Sequence, residues 1–146
     1  RAESLADFVT CPGWVSPKER EELFARCSLF VLPTWFEGQP VSLLEAMAAG
    51  LCPAASAVGG IPQVPEGDRR GKDSSLPRGF DGCGVLLPPK DPEALAQALI
   101  GLLKDEELRR GNGSRARQRI LEEYDIKNTA ERLVEFYGSI CKKEGR

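Results

Sequence analysis

Residues 28–33, Ser-Leu-Phe-Val-Leu-Pro, set the tightest limit on what this chain can fold into. Four large apolar side chains in a row, closed by a proline, suit a short strand buried on both faces of a parallel sheet. Such a strand needs helices on either side, and the flanking sequence supplies them. Ahead of it, Ser16, Pro17 and Glu19 match a helix start: Ser as N-cap, Pro at the first helical position and Glu completing a capping box. That helix is expected to reach Arg26 with Leu23 and Phe24 turned inward. After the run come a loop over 33–39 and a helix over 40–49 ended by Gly50.

The alternation continues along the chain. Residues 8–11 read as a strand before Pro12 and Gly13, and 51–56 as a weaker strand, because Pro53 forbids one ladder hydrogen bond. Gly59 and Gly60 make a turn, 61–64 a helical turn, and the polar segment 66–82 a flexible insertion loop. Residues 84–87 form the next strand. Asp91 then caps a helix with Pro92 just inside it, whose Leu95, Ala98, Leu99, Leu102 and Leu103 follow the i, i+3, i+4 rhythm. A basic helix over 106–123 and a last helix over 126–141 follow, the latter with a stripe of Leu133, Phe136, Tyr137, Ile140 and Cys141. Strands alternating with helices give an α/β class with a mostly parallel sheet flanked by helices, as one domain over 1–146.

Composition removes several function classes. A net charge of −2 over 146 residues offers no field to hold nucleic acid. The arginines of the basic helix alternate with glutamates, which reads as a solvated face. The chain has no histidine, so a zinc site with His ligands and Ser–His or Cys–His catalysis are excluded, and no metal site is expected. Its five cysteines are scattered and sit in or beside apolar stretches, which reads as reduced, structural thiols in a cytoplasmic compartment. No apolar run approaches a membrane span. The chain opens on Arg1 without a signal peptide, which reads as a fragment.

In open α/β sheets, ligands bind beyond the C-terminal ends of the strands. The 28–32 strand delivers its chain into Pro33-Thr-Trp-Phe-Glu-Gly-Gln-Pro-Val-Ser-Leu-Leu-Glu45. Gly38 lets backbone approach a ligand, and the N–H groups of Val41 and Ser42 lie at the positive end of the helix that Pro40 begins, where a diphosphate fits. Glu37 and Glu45 can each grip hydroxyls of one extended ligand. A glutamate in the first turns of a helix is also an ordinary structural feature, and spacing alone leaves both readings open.

The segment from Glu37 to Gly50 closely resembles the E-x7-E segment of the group 1, family-four glycosyltransferases. The surroundings agree in order: Pro12-Gly-Trp-Val-Ser16, Leu29-Phe-Val-Leu-Pro33, Val58-Gly-Gly-Ile-Pro62, Gly84-Val-Leu-Leu-Pro-Pro ahead of Asp91-Pro-Glu-Ala-Leu95, and Ala130-Glu-Arg-Leu-Val-Glu-Phe-Tyr137. The resemblance implies the nucleotide-sugar-binding, C-terminal part of a GT-B enzyme with a partial Rossmann-like fold. It implies metal-independent transfer with retention from a nucleotide diphosphate-sugar donor, with no cofactor. Glu37 would act at the transferred sugar, Glu45 would bind ribose, and the backbone of Gly38, Gln39, Val41 and Ser42 would hold sugar hydroxyls and diphosphate. Trp14, Val15 and Ser16 would lie against the nucleobase with Lys18 alongside, although Trp14 can equally pack on the core and Lys18 be a solvated helix charge. Gln63 departs from the family's usual glutamate.

The resemblance also implies that an N-terminal acceptor domain and two strand–helix units with diphosphate-binding cations lie outside this chain. Alone it is expected to be inactive, to leave the 28–32 strand as an exposed edge, and either to be only marginally stable or to self-associate through that edge. Peripheral attachment to the inner membrane face is a further expectation. Two rivals stay open: a glycoside hydrolase using Glu37 and Glu45 as its acid/base pair, and a non-catalytic nucleotide-binding module.

Overall fold

The computed structural model describes residues 8–66 and 82–143. Three strands and six helices alternate: α1 (Pro17–Arg26), β1 (Leu29–Leu32), α2 (Val41–Ala48), β2 (Cys52–Ser56), α3 (Gln63–Glu66), β3 (Val85–Leu87), α4 (Pro92–Lys104), α5 (Glu106–Glu123) and α6 (Ile126–Lys143). The sheet is parallel in the order β1-β2-β3. The α/β class read from the sequence is the one the chain adopts.

β2 is the central strand, buried at every position, so the expectation of a weak strand at Pro53 is corrected. The reason lies in hydrogen-bond direction. Cys52 N–H donates to the Ser28 carbonyl on the β1 side at 3.1 Å, while Ala57 N–H donates to Leu87 on the β3 side at 2.8 Å. Odd-numbered β2 residues therefore face β3, and Pro53 sits one residue before that ladder opens at Ala54↔Val85. Its missing donor costs no ladder bond.

The sheet carries a core on each face. α2 and α5 cover one, joining Leu43, Met47, Ala55, Ile61, Val64, Ala116 and Ile120; α4 covers the other, joining Cys52, Ala54, Leu87 and Leu102. Each fully buried leucine or isoleucine contributes about 1.5–3 kcal/mol. Helix ends are closed as their sequences suggest. Ser16 and Glu19 form the capping box of α1, and the carboxylates of Asp91 and Asp105 accept from Ala94 and Leu108 N–H at 2.8 Å each. α2 ends in a Schellman turn: Gly50, at φ 86°, donates to Met47, and Leu51 donates to Ala46.

The basic helix α5 departs from a wholly solvated face. Arg109 donates to the Leu102 carbonyl at 2.7 Å, Arg117 to Ala48 at 3.0 Å and Arg115 to Gly82 at 2.6 Å. Two of these carbonyls close the C-terminal turns of α4 and α2, where cations are favoured. Gly113 lets α5 approach the Gly50 carbonyl, which a Cβ would strike.

Other expectations fail for want of a partner surface. Residues 8–11 form no strand; Phe8 is 87% exposed, with no strand beside it among the described residues. Leu23 is exposed and only Phe24 turns inward, edge-on to Phe30. The α6 stripe of Leu133, Phe136, Tyr137, Ile140 and Cys141 is exposed rather than buried. Cys11, Cys27 and Cys141 are exposed, and only Cys52 and Cys83 are buried as structural thiols. The insertion loop read over 66–82 falls mostly on residues 67–81, outside the described residues. No described helix is long and apolar enough to cross a membrane.

Candidate functional site

The loop leaving β1 is held from below by a second turn. Gly60 N–H donates to the Gly38 carbonyl at 2.8 Å. Gly59, at φ 54°, lies so close to the Glu37 carbonyl oxygen that any Cβ there would strike it. The pair read only as a turn is thus a backbone rest for Glu37 and Gly38. Thr34 Oγ1 tightens the approach by donating to the Phe36 carbonyl at 3.2 Å.

Pro40 is buried and serves as the N-cap of α2, one residue outside the helix it was expected to begin. A proline has no side-chain acceptor, so no side chain caps α2. Leu43 and Leu44 N–H both turn to the Pro40 carbonyl, at 3.1 and 3.4 Å. Val41 and Ser42 are exposed, which leaves the first N–H groups of the helix to a ligand. Gly38 and Gln39 are exposed and Glu37 is half-buried.

Glu45 stands in the second turn of α2 and meets a residue that no sequence motif announced. Arg20 Nη2 of α1 lies 2.8 Å from Glu45 Oε1, with the two side chains 40% and 33% exposed. A cavity of about 360 Å³ opens beside the pair, floored by Phe24, Ala25, Ala48 and Ala49. Tyr124 is the other unannounced neighbour. Its hydroxyl donates to the Gln63 carbonyl at 3.5 Å. Burial, aided by Glu123, pushes the phenol up, against a hydrogen bond with Gln39 that lowers it.

One open alternative falls in the loop ahead of α1. Trp14 is 97% exposed and does not pack on the core; Gly13, at φ 73°, turns the chain beneath it. Lys18 is a solvated helix charge whose ammonium stands 4.0 Å from Glu22, a pair worth about 0–1 kcal/mol. Val15 is half-buried. Ser16 is committed to the cap: its hydroxyl and its N–H both donate to Glu19 Oε2 at 2.7 Å. The Arg20–Glu45 ion pair ties α1 to the E-x7-E helix. No group of three His, Cys, Asp or Glu side chains suited to a metal occurs among the described residues.

An uncapped helix start thus stands beside a glutamate buttressed by Gly59 and Gly60, and the chain's relatives bear on what the two can do. The sequence pattern described as "Glycosyl transferases group 1" matches residues 1–105. The chain belongs to the group 1 glycosyltransferases. It is 36% identical over 120 residues to N-acetyl-alpha-D-glucosaminyl L-malate synthase of Bacillus anthracis, covering 82% of this chain and 27% of that protein. It is 32% identical over 146 residues to alpha-maltose-1-phosphate synthase of Mycolicibacterium smegmatis, covering 94% and 35%. Among solved structures, sucrose-phosphate synthase from Thermosynechococcus elongatus superposes with a TM-score of 0.77 at 27% identity, covering 95% of this chain and 32% of that one. The group 1 chain described here spans about a third of the length of these relatives, and its fold is the partial Rossmann-like arrangement of a GT-B C-terminal part.

Proposed function

We infer that this chain is the donor-binding part of a retaining, family-four glycosyltransferase that moves a sugar from a nucleotide diphosphate-sugar to an acceptor. The observation that carries the reading is the uncapped start of α2, with Glu37 held by Gly59 and Gly60 on one side and Glu45 in the next turn on the other. The diphosphate lies against the Val41 and Ser42 N–H groups, where helix dipole and unpaired donors stabilise leaving-group charge. Gly38 and Gln39 hold sugar hydroxyls through their backbone, and Glu37 faces the transferred sugar. Glu45 binds the ribose hydroxyls, oriented by Arg20 through one carboxylate oxygen. The Trp14–Val15–Ser16 backbone borders the nucleobase, and Lys18, turned to Glu22, stands at its margin. Transfer needs no metal or cofactor.

The acceptor domain and further diphosphate-binding cations belong to the remainder of a longer protein, consistent with relatives about three times this length. Alone, the chain is inactive and cytoplasmic, and its β1 edge, paired on one side only among the described residues, is where copies associate. The complete protein rests peripherally at the inner membrane face.

Glu37→Gln in the complete protein tests the catalytic assignment. It keeps the shape and removes the charge, so the transfer rate is expected to fall about 10²–10³-fold, as when one electrostatic group at a developing charge is lost, with donor affinity changed far less. Unchanged turnover contradicts the role. Donor binding without any transfer by the wild type supports the non-catalytic module instead.

A further inference from the structure

A second concavity opens at the C-terminal ends of the strands, on the face that α4 covers rather than the α2 face of the donor site. Its volume is about 330 Å³, within the range of small-molecule sites. Ser56, at the end of β2, lies in its wall with Leu87 and Leu95, while Trp35, Lys90 and Asp91 form its polar and aromatic rim. Trp35 precedes Glu37 by two residues on the same loop, so the cavity stands beside the proposed transfer point.

Two features of this rim stand out. Trp35 is 72% exposed, a large indole left open at a cavity mouth rather than packed. Lys90, at φ 62°, is the one non-glycine residue with positive φ among the described residues. It stands in the turn that leads into the Asp91 cap of α4. Its ammonium stands 5.2 Å from the centre of the Trp35 ring. An aromatic plate with a cation over one face and a carboxylate nearby, above an apolar floor, suits a pyranose: the ring's C–H face lies on the other, open face of the indole, and hydroxyls meet Lys90 and Asp91.

We propose that the Trp35–Lys90–Asp91 cavity is a subsite for a saccharide ring of the acceptor, distinct from the donor-sugar position at Glu37 and contributed by this chain rather than by the acceptor domain. The assignment of the ring to the acceptor rests on the functional reading above; the binding of a pyranose does not.

The chain contains two tryptophans, so Trp14→Phe leaves Trp35 as the sole indole reporter. Its emission is followed while methyl α-glucopyranoside, methyl α-mannopyranoside and N-acetylglucosamine are each added into the tens of millimolar. At least one is expected to give a saturable change that persists in Glu37→Gln and with saturating UDP-glucose present. Lys90→Gly should weaken it about tenfold, with the melting temperature held or raised, since glycine adopts φ 62° without strain. By calorimetry, Trp35→Ala should bind none of the three sugars. No saturable change with any of them overturns the proposal. So does a change abolished by Glu37→Gln or by UDP-glucose, because the sugar then occupies the donor position. UDP-glucose binding retained by Trp35→Ala keeps the donor reading standing whichever way the subsite falls.

Discussion

At Gly59 the whole site hangs on the absence of one carbon. Its φ of 54° and its contact with the Glu37 carbonyl leave no space for a Cβ. Gly59→Ala must strain the backbone, at about 1–3 kcal/mol, or push Glu37 and Gly38 off their rest. Thermal unfolding is expected to show a lowered melting temperature, and donor affinity in the complete protein should fall with it. An alanine variant with both quantities unchanged would mean that the turn does not position the loop. Arg20 illustrates the opposite case. Its charge is exposed enough that the ion pair with Glu45 adds little stability.

Among the elements, α1 shows how a local signal can be fully legible while its packing is not. The Ser16–Glu19 capping box is read straight from four residues, and the hydrogen bonds from Ser16 lower the Glu19 carboxyl below the usual range. A lowered folded-state pKa means a contribution present above the unfolded carboxyl's pKa and lost as pH falls through the folded one. Ser16→Ala is expected to cost about 1 kcal/mol of stability near neutral pH. Urea unfolding should show that difference shrinking in acid; a gap independent of pH would contradict the cap. By contrast, the inward turn expected of Leu23, the strand over 8–11 and the buried α6 stripe all failed. Apolar spacing tells which face would be buried, not whether a covering element exists. α5 failed in the other direction: a charged helix buries Asn112, Gly113, Ala116 and Ile120 through a small-residue seam and arginines that reach carbonyls. Neither leaves an apolar stripe to read. Pro53 misled because the direction of its missing donor depends on strand register, which the sequence does not carry.

On the scale of the molecule, the E-x7-E segment and its ordered neighbours made the family legible. Arg20, Tyr124 and the buttress beneath Glu37 required the fold, because each joins residues from separate elements. Among the described residues the chain leaves β1 at the sheet edge, an exposed apolar face on α6 and a cavity at the strand ends beside Trp35. The central claim is that the start of α2 holds a nucleotide diphosphate-sugar with Glu45 on its ribose. Calorimetric titration of the complete protein and of Glu45→Ala with UDP-, GDP- and ADP-sugars tests it directly. Losing charge-assisted hydrogen bonds of about 1.5–3 kcal/mol each should weaken binding of the preferred donor by at least about tenfold, whereas equal affinity for every donor in the two proteins would contradict the account.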